Sequence, residues 1–219
     1  MNYIVFDLEF TVLKDRSSLA DILEIGAIKI NEIEGELAMV DLFHTYVRPS
    51  EHPIITPRTT AFTGITQAQV DAAPNFSDVI QSFIEWLGNS YYLIAWGPDD
   101  KQMLVKQCRK QHINPDWIKN YNDIQLPFTY GQGGNNGGRF GLTKALQLNQ
   151  ITFIGTHHNA LDDAFNTAKL FKSIFGQLVL KENNAAIESE AESKIVYSTG
   201  REVNNPFAKL AGLQVNAVI

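Results

Sequence analysis

The sequence contains a single cysteine, Cys108, among its 219 residues. An internal disulfide is therefore excluded, and we expect a reducing, cytoplasmic location. No apolar run reaches the roughly eighteen residues that a membrane-spanning helix needs, so no membrane association is expected. The first residues carry no basic stretch and only a short apolar run, which predicts a β-strand and not a signal peptide.

An excess of positive charge is also missing, since 18 Lys and Arg face 24 Asp and Glu and the net charge is −6. This excludes a protein that coats nucleic acid by bulk attraction, but not an enzyme whose acidic site binds metal ions. The phosphate-loop pattern G-x-x-x-x-G-K-[ST] is absent, and so is any C-x-x-C pair. Neither a P-loop nor a structural zinc site is therefore expected.

The chain has the composition of an ordinary globular protein, with 44% hydrophobic and 19% charged residues. Apolar, β-rich segments predict four strands, at residues 3–10, 22–30, 36–47 and 91–96. The link at residues 31–35 is short and contains a glycine, which suits a hairpin. Because the first three strands follow one another closely, we expect them to form an antiparallel meander.

Apolar residues at helical spacing predict helices at residues 76–87, 100–112, 142–148 and 161–175. A glycine-rich loop lies at residues 131–139. Strands first, then alternating helices and strands, indicate an α/β or α+β layer with a mixed sheet. Residues 181–194 are polar and small, as in a linker, and residues 205–219 regain apolar side chains without an assigned role.

Two acids, Asp7 and Glu9, lie two residues apart at the end of the first strand and therefore on one face of it. Their neighbours are apolar, so this strand is expected to be central, where paired carboxylates are costly unless they are protonated or neutralised. Hard divalent ions such as Mg²⁺ and Mn²⁺ prefer oxygen ligands. The alternative is a strand that ends in solvent, with both acids hydrated.

Further acids stand at the starts of two predicted helices. Asp99 and Asp100 follow the strand that ends at Trp96, and Asp99 alone would be interpreted as a helix N-cap. Asp163 lies in the first turn of the last helix, where an acid ordinarily complements the helix dipole. His158 precedes that helix, and a lone histidine is usually only a packed or exposed imidazole.

Together these residues make four acids and one histidine at the ends of apolar elements, where ligand sites of α/β sheets gather. Four converging carboxylates would need about two divalent ions, ~3.5–4 Å apart. Such a site serves in-line attack of water on phosphorus, with the histidine as the group that takes the proton.

The sequence resembles the DEDDh 3′–5′ exonucleases, a DnaQ-like family with a ribonuclease H-like fold. F-D-L-E-F-T at residues 6–11 is similar to the first motif, residues 96–100 to the second, and H-N-A-L-D-D at residues 158–163 to the third. Residues 62–76 are similar to the segment between the first two motifs. The forms W-G-x-x-D and E-I-G-A-I-K-I look most like the KapD-like branch, which includes histone-mRNA 3′ exonucleases.

The resemblance implies an α/β fold with a mixed five-stranded sheet flanked by helices, its first three strands antiparallel. It implies an exonuclease domain at residues 1–180, followed by a linker and tail at 181–219. It also implies two Mg²⁺ or Mn²⁺ ions, held by Asp7, Glu9, Asp100 and Asp163, with Asp7 bridging both. His158 would be the general base.

Substrate contacts are also implied by the resemblance. Phe10 and Thr11 would meet the terminal nucleotide, and Ile65 would wedge against the last bases.

Two assignments have alternatives. Asp99 is the alternative to Asp100 in the second motif, and the W-G-x-x-D spacing favours Asp100. The pair His157 and Asp162 preserves the same gap as His158 and Asp163; the latter pair is preferred because the acid of the family falls directly before a small residue, here Ala164.

The function expected from these residues is hydrolysis from the 3′ end of single-stranded RNA or DNA, with release of nucleoside 5′-monophosphates. A nucleic-acid-binding module without turnover is one alternative, and a hydrolase of very short oligonucleotides is another, which the acidic net charge suits. A homodimer formed through the C-terminal tail is a further expectation.

Overall fold

The computed structural model describes residues 1–13, 19–134 and 138–184. Its centre is a five-stranded sheet in the order β3-β2-β1-β4-β5. The first three strands are antiparallel neighbours, whereas β4 and β5 run parallel to β1. The strands are β1 (Asn2–Phe10), β2 (Ile22–Ile33), β3 (Glu36–Tyr46), β4 (Tyr91–Ala95) and β5 (Tyr121–Asp123). The predicted mixed sheet with an antiparallel first half is confirmed.

Helices cover both faces of this sheet. The helices are α1 (Pro57–Thr63), α2 (Gln67–Ala72), α3 (Phe76–Leu87), α4 (Asp99–Lys110), α5 (Gln125–Gly131), α6 (Leu142–Leu148) and α7 (Ala160–Ile174). One apolar cluster joins α3 and α4 to the first face, and a second joins α5, α6 and α7 to the other. Apolar residues of β1 enter both clusters, which explains why its sequence is a near-continuous hydrophobic run.

Several short elements were not predicted from the sequence. They are α1, α2, α5 and β5, none longer than seven residues. Two carried readable signals, because Thr56 caps α1 and Thr66 forms a capping box with Gln69 at α2. Helix α5 contains Pro127 and β5 has three residues, so neither shows a hydrophobic period of its own.

The predicted boundaries differ from the structure by a few residues at most. Strand β2 continues to Ile33, three residues beyond the prediction, and β3 ends at Tyr46 and not at residue 47. Helix α4 begins one residue earlier, at Asp99, and α7 spans Ala160–Ile174. Helix ends fray, and their assignment depends on hydrogen bonds and not on apolar character. A shift of this size is therefore expected.

The described chain ends against the sheet edge. Asn183 exchanges side-chain hydrogen bonds with the backbone of Tyr121, and Lys181 N–H donates to Asn122 at 2.8 Å. The first residues after position 180 therefore pack on β5. Residues 185–219, with the tail on which the predicted dimer depends, lie outside the described residues. No helix in the described part of the chain is long and apolar enough to cross a membrane.

Helix α7 crosses β2 at Gly26 with no space between the two backbones. A Cβ atom at Gly26 would overlap the backbone atoms of Ala160 and Leu161. Gly26 is also the register partner of Asp7 on β1. The glycine therefore lets the first turn of α7 approach the acidic end of β1.

We predict that Gly26→Ala destabilises the protein by roughly 1–3 kcal/mol, because the added methyl group overpacks a rigid backbone contact. Urea unfolding followed by circular dichroism measures the change. Gly131→Ala is the matched control, since a Cβ there meets nothing within 4 Å, and we expect a change within about 0.5 kcal/mol. Equal stability of the two variants would contradict the close approach.

Candidate active site

The five predicted catalytic residues line one cavity of about 820 Å³. The cavity opens at the end of the sheet where β1 and β4 stop. The residues that it brings together are Asp7, Glu9, Asp100, His158 and Asp163. Convergence of these side chains, which the sequence separates widely, is the main feature of the site.

Alternation along β1 points Asp7 and Glu9 towards α7. Val5, on the same face, packs in the cluster with Ala164 and Ala168 of that helix. The first turn of α7 carries Asp163, and its N-cap Asn159 accepts a hydrogen bond from the backbone of Asp162 at 3.0 Å. The strand and the helix thus deliver acids to the same cavity from two rigid elements.

One group of side chains is close enough to share a cation. Ligand atoms of Glu9, His158 and Asp163 all lie within 4.8 Å of one another. The backbone N–H of His158 also donates to Asp163 Oδ2 at 2.8 Å. Carboxylate oxygens with one imidazole are donors that suit Mg²⁺ or Mn²⁺, so the residues present fit divalent cations.

The structure separates the two acids of the second motif. Asp100 is buried, with 7% of its surface exposed, whereas Asp99 is exposed, although both border the cavity. The backbone of Leu8 on β1 donates a hydrogen bond to Asp100, which ties it to the acidic strand. The N-cap of α4 is Pro98, so Asp99 stands inside the helix and does not cap it.

The tandem histidines before α7 and the tandem acids in its first turn also differ in their contacts. Asp162 turns away from the acids and accepts a hydrogen bond from the backbone of Thr156 at 2.7 Å. His157 stacks on Phe153, with ring centroids 3.8 Å apart, and borders the cavity beside His158. His157 is exposed and borders the cavity, while Asp163, and not Asp162, is the acid that faces the cavity.

The acids repel one another in the absence of cations. Burial, with the carboxylates of Asp100, Asp163 and Glu9, raises the pKa of Asp7 well above its usual range. Burial and the charge of Asp163 raise the pKa of Glu9 to about 8. Burial, then the charge of Asp99, raises the pKa of Asp100 to about 8. Burial also raises the pKa of Asp163, opposed by a hydrogen bond from the His158 backbone.

The predicted substrate contacts are only partly brought to the cavity. Phe10 lines it. Thr11 is buried and its hydroxyl accepts a hydrogen bond from the Asp21 backbone, and Ile65 packs with Leu23 and Val70 in a small separate cluster. The structure therefore does not place Thr11 or Ile65 on the cavity wall.

Phe62 of α1 lines the cavity and was not predicted from the sequence. Its ring is 51% exposed and lies 4.0 Å from the His158 ring, measured between centroids. It stands three residues before Ile65, in the same F-T-G-I-T segment. The signal available in the sequence was the phenylalanine at the start of this segment. Which of Phe62 and Ile65 is exposed could not be predicted from their residue types, because both are apolar.

Arg139 also lines the cavity and was not predicted from the sequence. Its Nη1 donates to Asp123 at 2.5 Å and to Gln125 at 3.1 Å, so β5 and α5 fix the guanidinium. Gln125 and Trp96 both donate to the backbone oxygen of Phe140, which anchors the chain after the glycine-rich loop. Among the described residues that line the cavity, Arg139 alone carries a permanent positive charge.

Comparison with known families identifies the class of protein. The family model described as Exonuclease (RNase_T) matches residues 4–171. The chain therefore belongs to this family, and the DEDDh 3′–5′ exonuclease assignment made from the motifs is confirmed.

The relatives in sequence are named as 3′–5′ exonucleases or exoribonucleases. The chain is 34% identical over 176 residues to the probable 3′-5′ exonuclease KapD of Bacillus subtilis, covering 78% of this chain and 83% of that protein. It is 29% identical over 183 residues to human ERI1 exoribonuclease 3, covering 78% of this chain and 53% of that protein. The chain thus spans about half of the latter relative.

Solved structures share the fold. The nuclease domain of 3′hExo, a DEDDh family member bound to rAMP, superposes with a TM-score of 0.74 at 26% identity, over 83% of this chain and 96% of that one. The cell-death related nuclease 4 (CRN-4) gives 0.71 at 19% identity, over 80% and 64% of the two chains, which shows the fold alone. The ribonuclease H-like architecture is confirmed, and the family is dependent on divalent metal ions.

We predict that the metal-free protein loses stability as the pH rises from about 5 to about 8. The pKa of Glu9 is about 8 in the folded chain against an ordinary 4.5, so in this range the folded state holds a proton that the unfolded chain has released. Unfolding is then favoured as the pH rises. The melting temperature in a chelator measures the loss.

Added Mn²⁺ should raise the melting temperature more at pH 8 than at pH 5, because the acids are then free of protons. Glu9→Gln removes one of the groups and should flatten the decline in chelator. A melting temperature that is constant or that rises over this pH range would contradict the mutual repulsion of the acids.

Proposed function

We propose that the protein removes nucleotides one at a time from the 3′ end of single-stranded RNA, with DNA as the second choice, and releases nucleoside 5′-monophosphates. The observation that carries the proposal is the meeting of four acids and His158 in one cavity. Exoribonucleases among the sequence relatives support RNA, and the rAMP bound by the 3′hExo domain supports a nucleoside monophosphate product. A cytoplasmic location stays a prediction.

In this proposal two divalent cations, Mg²⁺ or Mn²⁺, are held by the acids. The charges of Asp100, Asp163 and Glu9 all raise the pKa of Asp7, so Asp7 would be suited to hold cations together with the other acids. Such cations lower the pKa of water and stabilise charge on phosphate oxygens. The protein's own contribution is to fix the acids on a strand and two helices.

His158 is proposed as the general base. It stands on the cavity wall with a positive φ of 61°, a backbone conformation that is uncommon for residues other than glycine. The proximity of its ring to Glu9 and Asp163 also allows a role as a metal ligand. Either role requires an imidazole nitrogen without its proton.

Phe62 and Phe10 supply the apolar surface for the terminal nucleotide. Aromatic rings stack on bases without regard to sequence, and each such contact contributes ~1–3 kcal/mol. The Phe62 ring stands against His158 and half of its surface is exposed. A base placed there would bring its phosphate towards the acids.

Hydrolysis of very short oligonucleotides is a second candidate. The net charge of −6 opposes long polyanions, and Arg139 is the one arginine or lysine among the described cavity residues. Rates on a dinucleotide and on a strand of about ten nucleotides distinguish the candidates. Binding of both without Mn²⁺-dependent cleavage would instead indicate a module without turnover.

We predict that Asp163→Asn lowers nucleotide release from a single-stranded oligonucleotide with Mn²⁺ by more than ~100-fold. Loss of a group that only supports a metal ligand already costs ~10–100-fold, and Asp163 faces the acids directly. Asp162→Asn is the matched control, because its carboxylate points towards Thr156, and should retain activity within about threefold. Equal activity of the two variants would remove Asp163 from the site.

We predict that, at Mn²⁺ concentrations that saturate the acids, the rate falls as the pH is lowered towards 5, because an imidazole base loses its function when it takes up a proton. Under the same conditions His158→Asn should be slow at every pH and show no such step. His157→Asn is the control and should keep the wild-type profile. A flat profile for the wild type from about pH 5 to 8 would exclude His158 as the base.

A further inference from the structure

Glu24 is a fully buried carboxylate that the proposed reaction does not use. It lies on β2, with 0% of its surface exposed, and is the register partner of Glu9 on β1. It does not line the cavity, whose wall on this side is formed by Glu9, His158 and Asp163. A buried charge of this kind is costly unless hydrogen bonds satisfy it.

The partners of Glu24 come from two other elements. Its Oε1 is 2.6 Å from Nε2 of His44 on β3 and accepts from Nδ2 of Asn159 at 3.1 Å. Its Oε2 accepts from the backbone N–H of Ala160 at 3.1 Å. Ala160 is the first residue of α7, and its N–H is one of the amides that a helix cannot satisfy by itself.

These bonds fix the chain within the third motif, directly after His158. Asn159 is the N-cap of α7 and bonds the backbone of Asp162 through its side-chain oxygen, so its amide joins Glu24 to the helix start. The residue before it is His158, which has a positive φ of 61°. The backbone of His158 in turn bonds Asp163.

We propose that Glu24 is a positioning residue, which holds the start of α7 so that His158 and Asp163 face Glu9 at the distances required for the reaction. This inference rests on the proposed function. Gly26, two residues further along the same strand, allows the close contact with Ala160. The hydrogen bond from the Ala160 N–H to Glu24 then orients the start of the helix. Both residues of β2 therefore support the third motif.

Glu24→Gln tests the role with little change in shape. An amide has one accepting oxygen, so its nitrogen must face either the N–H of Ala160 or the amide of Asn159, both of which are donors. Groups that orient the residues of a metal site typically contribute ~10–100-fold to activity or metal affinity. We expect kcat on a single-stranded oligonucleotide with Mn²⁺ to fall by that factor, with KM within about twofold.

A readout that needs no catalysis accompanies this measurement. The rise in melting temperature on adding Mn²⁺ reports how well Glu9, His158 and Asp163 are arranged, and should be smaller in Glu24→Gln. Glu32→Gln is the matched control, because it makes the same change at an exposed position of the same strand. It should keep the wild-type kcat and the wild-type response to Mn²⁺.

The double variant Glu24→Gln with Asn159→Asp reverses the direction of one hydrogen bond. The amide introduced at position 24 can then donate to the carboxylate introduced at position 159, while its oxygen still accepts from Ala160. Asp is also a good N-cap. We expect the double variant to recover at least tenfold of the lost kcat, a coupling that independent effects on stability do not produce.

Each outcome bears on one hypothesis. If Glu24→Gln folds and is as active as Glu32→Gln, the positioning role is overturned. If Glu32→Gln and the wild type are both inactive, the proposed function is contradicted. If Glu24→Gln does not fold, Asn159→Ser replaces it, because serine caps the helix but cannot donate to Glu24 as the amide does. A kcat loss of about tenfold or more in that variant supports the role, and an unchanged kcat overturns it.

Discussion

The site depends on four carboxylates that the fold places close together at one end of the sheet, where they are partly or fully buried and repel one another. Burial raises the pKa of Asp7, Glu9, Asp100 and Asp163 above their ordinary values, and their mutual repulsion adds to the shift of Asp7 and Glu9. Such a group is tolerable when it is protonated or when cations balance its charge. The fold therefore concentrates at one end of its sheet the charge that a metal-dependent exonuclease requires, and apolar clusters on both faces hold that end in place.

The backbone arrangement around the acids is as specific as the acids themselves. Strand β1 lies at the centre of the sheet and supplies two carboxylates on one face, while α4 and α7 supply one each from their first turns. Helix α7 can approach only because Gly26 has no side chain. The buried hydrogen bonds of Glu24 with His44, Asn159 and Ala160 set the orientation of the helix start.

Much of the fold could be predicted from the sequence because long segments show a clear hydrophobic period. Strands β1 to β4 and helices α3, α4, α6 and α7 all lie within a few residues of the predicted ranges. The missed elements are short, and contacts with the rest of the chain stabilise them more than their own residues do. Strand β5, for example, is defined by its pairing with β4 and by Asn183.

The sequence by itself predicted the chemistry of the site, because residue type and spacing indicated acids and a histidine at the ends of apolar segments. The resemblance to the family then favoured Asp100, His158 and Asp163 over their neighbours. Only the tertiary structure decided that Phe62 and not Ile65 lines the cavity, that Arg139 lines it as well and that Glu24 supports α7. The physical reason is that burial and hydrogen-bond partners depend on segments that are far apart in the chain, and no local pattern of residues carries that information.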